Sequence, residues 1–101
     1  MSNEMTLRAY ANLIQGKVVP SVSGATLASV DPSTGLPWAT IPRSNAADAE
    51  AAVEAARAAF PAWAALRVQE RAAYLGRVAE VIASHNDELA EIETRDNGRL
   101  L

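Results

Sequence analysis

The stretch that most constrains this chain runs from Asp48 to Trp63 and reads DAEAAVEAARAAFPAW. Alanine has the highest intrinsic helix propensity, so this composition predicts a helix. The free energy gained by burying a side chain scales with its apolar area, and an alanine methyl group is small. We therefore expect a thin helix that other elements approach closely, and its packing partners become the central question.

Alanine also accounts for much of the hydrophobic content of the chain. Of 101 residues, 50% are hydrophobic, and 22 residues are alanine. Leucine, isoleucine, valine and phenylalanine together also number 22, which is close to the level of about one fifth below which chains tend to be disordered. A self-contained core would be thin, and the composition favours part of a larger protein.

Charge and composition exclude several classes of function. The net charge is −3 and the basic residues are scattered, whereas nucleic-acid binding needs clustered lysine and arginine. Neither an apolar run of membrane-spanning length nor a basic-then-apolar secretory signal is present. The absence of cysteine excludes disulfides, thiolate ligands and a cysteine nucleophile within these residues. We expect a cytoplasmic protein with neither nucleic acid nor membrane as a partner.

Short strands and turns are predicted for about residues 9–43. The segment NLIQGKVVPSVSG alternates apolar and polar residues around Gly16, which predicts a hairpin or a bent strand. ATLASV and WATIP predict two further strands. Between them lies DPSTG, where Asp31 can accept hydrogen bonds from backbone amides and Gly35 can adopt a positive φ.

Three helices are predicted for about residues 45–98. Ser44 or Asn45 can cap the first, and Asn45 with Asp48 has the spacing of a capping box. Pro61 is expected to end this helix or to start the next turn. Its apolar residues fall on one face at helical spacing: Ala49, Ala52, Val53, Ala56 and Phe60.

The second helix is predicted from about Val68, and the third is predicted to be capped by Asn86 and to end at Gly98. Strands followed by helices are typical of an α+β unit or of one edge of a larger α/β protein.

Candidate catalytic residues are few. His85 is the single histidine, and without a nucleophile elbow an exposed or capping role is favoured over a catalytic triad. Carboxylates between Asp87 and Asp96 could form an acid–base pair, but a solvated acidic face is favoured. The glycine spacing matches no phosphate-binding loop.

Four aromatic residues could form a binding surface, but we expect them to fill gaps against the alanine-rich helix. They are Trp38, Phe60, Trp63 and Tyr74. The residues alone thus indicate no catalytic and no cofactor-binding site.

Three stretches, taken in order, resemble the start of an NAD(P)-dependent aldehyde dehydrogenase. They are IQGKVV, SVDPSTGLPWATIPRSNAADAEAAVEAARAAFPAW and ERAAYLGRVAEVIASHNDELAEIETRDNGR, and the resemblance spans about residues 13–99. It implies an α/β fold of which residues 1–101 form the N-terminal segment of the cofactor-binding domain. It also implies oxidation of an aldehyde to a carboxylate with NAD or NADP, in a full-length protein that forms homo-oligomers.

The resemblance further implies that the catalytic cysteine, the general-base glutamate and the dinucleotide site lie outside this segment. The chain alone is then expected to be inactive. One family site does map onto it: a structural Na⁺ or K⁺ held by Ser29, the carbonyl of Val30 and Asp96. Oxygen ligands of this kind suit a hard cation.

Two other interpretations remain open from the sequence. The chain could be a truncated interaction module or gene remnant without enzymatic activity, or an unrelated small α+β domain. Both a part of a longer polypeptide and a genuinely truncated product are compatible with the sequence.

Overall fold

A computed structural model describes residues 7–98. Within that range the chain forms five short strands followed by three helices; strands before helices is the predicted order, although only the last four strands were predicted. The elements are β1 (Arg8–Ala9), β2 (Asn12–Ile14), β3 (Lys17–Val19), β4 (Thr26–Asp31), β5 (Leu36–Pro42), α1 (Ala46–Ala65), α2 (Val68–Ser84) and α3 (Asn86–Asn97).

The strands form two separate sheets. In the larger sheet the order is β1-β5-β4, with β4 antiparallel and β1 parallel to the central strand β5. Ala39 on that central strand is only 1% exposed, and it is the one fully buried hydrophobic residue between Leu7 and Gly98. Strand β1 was not predicted, because two residues are too few to show an alternating pattern.

Strands β2 and β3 form the predicted hairpin. Ile14 pairs with Lys17, so the loop contains two residues, Gln15 and Gly16. Both have positive φ, 57° and 72° respectively, as a type I′ turn requires. This turn matches the right-handed twist of the strands, and Gly16 adopts its conformation without steric cost.

The DPSTG turn joins β4 to β5 as expected. The carboxylate of Asp31 accepts hydrogen bonds from the backbone N–H of Ser33 at 2.8 Å and from its hydroxyl at 2.7 Å. Gly35, at φ 73°, donates its N–H to the Asp31 carbonyl at 2.8 Å. The local side-chain bonds therefore close the turn that sets the β4–β5 register.

The capping box of α1 is also confirmed. Asn45 Oδ1 accepts from the N–H of Asp48 at 3.3 Å and from that of Ala47 at 2.9 Å, and Asp48 Oδ2 accepts from the N–H of Asn45 at 2.9 Å. These bonds satisfy backbone donors that the first helical turn cannot pair internally.

The prediction that Pro61 ends the first helix is wrong. Helix α1 continues through Pro61 to Ala65. Proline removes one backbone donor, the N–H that would bond the carbonyl of Arg57. The alanines on both sides have high helix propensity, which favours continuation of the helix across this single lost hydrogen bond.

The junction of α2 and α3 differs from the prediction by one residue. Asn86 is the first residue of α3, and His85 is at once the C-cap of α2 and the N-cap of α3, without a side-chain capping bond. Its Nδ1 instead lies 2.9 Å from the carbonyl oxygen of Val81. At the other end of α3, Gly98 is the C-cap with φ 77°, as predicted.

The β2–β3 hairpin is the principal partner of the alanine-rich helix. Asn12 and Ile14 line a groove with Ala49 and Ala52, and Asn12 Nδ2 donates to Ser44 Oγ at 2.8 Å. The hairpin and the first turns of α1 thus face each other across this groove and are joined at its edge by the Asn12–Ser44 hydrogen bond.

Farther along the helices the apolar stripes are uncovered. Val53 and Phe60 on α1 are 55% and 64% exposed, and Leu75 on α2 is 65% exposed. The prediction for the aromatic residues is correct only in part: Tyr74 packs against Trp63 of α1 with ring centroids 5.6 Å apart. The prediction fails for Phe60, which is exposed, and for Trp38.

Trp38 belongs to the sheet rather than to the surface of α1. It lies on β5 and packs against Tyr10 at a centroid distance of 6.0 Å. Its position follows from the parallel β1–β5 pairing, which brings the segment around Tyr10 alongside β5 and which the sequence pattern did not reveal.

Candidate functional site

Ser29 and Asp96, which the resemblance links to a cation, lie side by side in the structure. Ser29 is on β4 and Asp96 is in the last turn of α3. The hydroxyl of Ser29 donates a hydrogen bond to Asp96 Oδ1 at 2.5 Å. We call this contact the β4–α3 clasp, since it fastens the end of the helix to the sheet.

Val30 follows directly, at an irregularity of the β4–β5 ladder. The register shifts between Ser29 and Val30, and Val30 is paired with Pro37. The backbone carbonyl of Val30 is the third oxygen of the candidate cation site.

The turn next to the β4–α3 clasp carries a carboxylate, that of Asp31, whose ionised form is stabilised by its neighbours. Hydrogen bonds from the hydroxyl and then the backbone N–H of Ser33 lower the pKa of Asp31, with a smaller contribution from Arg95. Each of these partners favours the ionised form of the carboxyl group. Arg95 itself pairs with Glu91 at 3.3 Å on the surface of α3.

The end of α3 also contacts this turn through Gly98. A Cβ atom added to Gly98 would lie 3.1 Å from Pro32 Cγ, and its φ of 77° disfavours any residue with a side chain. Glycine is needed here both for the left-handed cap and for the close approach to Pro32.

No other cluster of ligands competes with this site in the part of the chain that the structure covers. Between residues 7 and 98 no group of three or more histidine, aspartate or glutamate side chains could hold a metal ion. His85 is exposed at the α2–α3 junction. Asp87 and Glu88 are exposed as well, so the carboxylates form the expected solvated face rather than an acid–base pair.

Asp48 has a second role that sequence reasoning missed. It is only 4% exposed, and while Oδ2 completes the capping box, Oδ1 accepts from the N–H of Val22 at 2.8 Å. This bond joins the β3–β4 loop to the start of α1. No local pattern signals it, because its two partners are brought together by the tertiary fold.

Sequence reasoning also missed the buried indole nitrogen of Trp38, Nε1. It is buried, and no acceptor within the described range reaches it.

Among residues 7–98, no helix has both the length and the apolar character needed to cross a membrane.

The comparison with known protein families decides the assignment. The family model described as the aldehyde dehydrogenase family matches residues 18–101. The chain belongs to the aldehyde dehydrogenase family. This confirms the resemblance and the α/β fold class, of which the strands and three helices are the N-terminal part.

Individual aldehyde dehydrogenases match almost the whole chain. The 2-aminomuconic semialdehyde dehydrogenase of Mus musculus is 43% identical over 101 residues, which are 100% of this chain and 20% of that protein. The NAD-dependent aldehyde dehydrogenase from Sinorhizobium meliloti superposes with a TM-score of 0.88 at 36% identity, covering 93% of this chain and 19% of that one.

HpcC from Thermus thermophilus gives a TM-score of 0.90 at 39% identity and covers 92% of this chain and 18% of that one. The chain therefore spans about a fifth of the length of these relatives.

Proposed function

We propose that this chain is a structural segment of an aldehyde dehydrogenase that oxidises an aldehyde to a carboxylate with NAD or NADP. The observation that carries the proposal is the continuous match of nearly the whole chain to about a fifth of enzymes with that activity. In this proposal the bound dinucleotide supplies the hydride acceptor. The residues described here lack the glycine spacing of a dinucleotide loop, so the chain itself contributes scaffold rather than chemistry.

The uncovered helix faces support a scaffold role. Apolar side chains on α2 remain exposed, including Leu75 at 65% and Val81 at 59%. Contiguous exposed apolar surface is typical of a face that another protein surface covers. In a full-length dehydrogenase the remainder of the polypeptide would supply that surface.

The experiment compares the purified 101-residue chain with the native gene product isolated from its source cells. We expect the native product to have an intact mass well above 10.7 kDa and to reduce NAD⁺ or NADP⁺ when an aldehyde is added. The chain alone should produce no aldehyde-dependent absorbance of the reduced cofactor. Turnover by the chain alone would contradict the scaffold role.

The same exposed apolar faces favour a second candidate, an interaction module without enzymatic activity. A native mass close to 10.7 kDa, together with co-purification of a full-length dehydrogenase, would support it. A monodisperse monomer that unfolds cooperatively would contradict it, because such a protein does not need a partner to cover its surface.

We further propose that Ser29, Val30 and Asp96 hold a structural Na⁺ or K⁺ in the full-length protein. The three ligand groups are a hydroxyl, a backbone carbonyl and a carboxylate. Each provides a hard oxygen atom, the type of ligand that alkali cations prefer. The β4–α3 clasp, which brings Ser29 and Asp96 together, supports the proposal. The remaining ligands would come from residues outside this segment.

This proposal is tested by measuring the thermal midpoint of the full-length protein in increasing NaCl or KCl, against choline chloride at equal ionic strength. A cation that binds only the folded state raises the midpoint with concentration. The Asp96→Ala variant should lose this dependence, whereas Asp87→Ala, at the exposed opposite end of α3, should keep it. An unchanged response in Asp96→Ala would exclude the site.

A further inference from the structure

The last residue of α3 and its cap form an Asn-Gly pair, Asn97–Gly98. In such a pair the following backbone nitrogen can attack the asparagine side chain with little hindrance, because glycine has no Cβ. Asn97 is exposed to solvent. We propose that Asn97 is a deamidation site whose reactivity is controlled by closure of the α3 C-terminus onto the β4–β5 turn. This inference concerns the segment itself and is independent of the proposed enzymatic activity.

The reaction needs only water and a base from the solvent. The backbone nitrogen of Gly98 gives up its proton and forms a bond to Cγ of Asn97, and the side-chain amino group takes up a proton and leaves as ammonia. Water then adds to one of the two carbonyls of the five-membered imide and opens it, which yields aspartate or isoaspartate. No atom is oxidised or reduced in either step.

The closed helix end opposes the first step. The N–H of Gly98 donates to the carbonyl of Thr94 at 2.8 Å, so the attacking nitrogen points back along the helix. Ring closure requires the ψ angle of Asn97 to leave the helical region and turn that nitrogen toward Cγ. The Gly98–Thr94 bond must therefore break before the side chain can react.

Two contacts with the strand half keep the helix end closed. The first is the β4–α3 clasp, in which Ser29 donates to Asp96, the neighbour of Asn97. The second is the close approach of Gly98 to Pro32. Helix ends otherwise open locally at small free-energy cost, so the deamidation rate should follow the strength of these two contacts.

The product would weaken the closure that slowed its formation. Either product places a second carboxylate directly beside Asp96. The new negative charge repels the Asp96 carboxylate, which accepts the hydrogen bond from Ser29. Isoaspartate also adds one carbon to the main chain immediately before the left-handed cap, which displaces the Gly98 N–H from Thr94. Deamidation is thus a one-way change that releases the end of α3 from the sheet.

The test follows the conversion of Asn97 by peptide mapping and mass spectrometry while the chain is incubated at mildly alkaline pH. Four samples are compared: wild type, wild type in concentrated urea, Ser29→Ala and Ser84→Ala. Ser84 is the last residue of α2, next to the opposite end of α3, and serves as the matched control. Because one hydrogen bond changes an opening equilibrium by roughly two- to tenfold, Ser29→Ala should deamidate faster than wild type by about that factor.

We expect the urea-unfolded sample to react fastest and Ser84→Ala to match wild type. Asn12, Asn45 and Asn86, which precede residues other than glycine, should stay intact throughout. Should Ser29→Ala fail to fold, Pro32→Ala tests the second contact, and amide hydrogen exchange at Gly98 reports whether the helix end has opened. Equal rates in folded and urea-unfolded wild type, or equal rates in wild type and a folded clasp variant, would overturn the proposal.

Discussion

The strand half, residues 7–43, and the helical half with its cap, residues 44–98, reach their structures by different routes. In the strand half, turn residues fix the register of paired strands and bury Ala39 on the central one. In the helical half, propensity and end caps define three helices whose apolar stripes remain largely exposed. A helix closes its backbone hydrogen bonds within one segment, whereas a strand needs a partner strand, so regular helices can carry apolar faces that nothing in this segment covers.

The two halves are joined by a few polar bonds rather than by a shared core. The described contacts of this kind include Asn12 to Ser44, Val22 to Asp48 and Ser29 to Asp96. A junction made of individual hydrogen bonds can be taken apart one side chain at a time, which makes the comparison testable.

The largest effect is expected from Asp48→Ala, which removes the buried carboxylate at this junction. Both the capping box of α1 and the bond to Val22 are lost, and backbone donors are left without their acceptor. We expect the free energy of unfolding to fall by about 3 kcal/mol, measured by urea denaturation followed by circular dichroism.

The matched control for Asp48 is Asp87→Ala, an exposed carboxylate in the first turn of α3. Its loss should cost less than about 1 kcal/mol, because only a favourable interaction with the helix dipole disappears. Equal costs for the two variants would show that burial and the link to Val22 contribute nothing.

Two glycine-to-alanine substitutions, one in each half, should change the free energy of unfolding in opposite directions. Gly35 in the β4–β5 turn has φ 73°, whereas Gly76 lies inside α2, and at both positions an added Cβ would have open space for 4 Å around it. Gly35→Ala should lower the free energy of unfolding by about 1 kcal/mol through backbone strain. Gly76→Ala should raise it by up to about 1 kcal/mol through helix propensity.

Thermal or urea midpoints of the two alanine variants, measured side by side, check this prediction. Because the substitution is the same and both sites are open, packing cannot account for a difference. A shift of the same sign in both variants would contradict the distinction between turn-defined and propensity-defined halves.

The smallest effect concerns the pH dependence of the β4–β5 turn. Since the folded-state pKa of Asp31 is lowered from 3.8, its contribution to stability is complete above that value and is lost as the pH falls through the folded-state pKa. Ser33→Ala removes the first cause of the shift. We expect the pKa of Asp31, followed by NMR titration of its carboxyl carbon, to rise toward the ordinary value.

Ser84→Ala is the control for this titration, because Ser84 lies on α2 and bonds the carbonyl of Val81 instead. It should leave the pKa of Asp31 unchanged. A Ser33→Ala variant in which Asp31 titrates as in wild type would show that the Ser33 hydroxyl does not stabilise the ionised carboxylate.

Local features were predictable from the sequence wherever neighbouring residues interact with each other. The QG and DPSTG turns, the Asn45–Asp48 capping box and the Gly98 cap all rest on contacts within a few residues, and each was confirmed. Pro61 and Asn86 are exceptions: the helix continues through Pro61, and His85 rather than Asn86 is the N-cap of α3. The cation ligands came from family resemblance and not from any spacing rule.

The sequence by itself thus determined the order of the elements from β2 to α3, most turn and cap residues, and membership of the aldehyde dehydrogenase family. The tertiary structure alone decided that β1 pairs with β5, that Trp38 packs on Tyr10, and that Asp48 reaches Val22. It also placed Ser29 against Asp96. The physical reason is distance along the chain: a periodic pattern reports which face of an element is apolar, but a contact between distant residues depends on how whole elements are arranged around it.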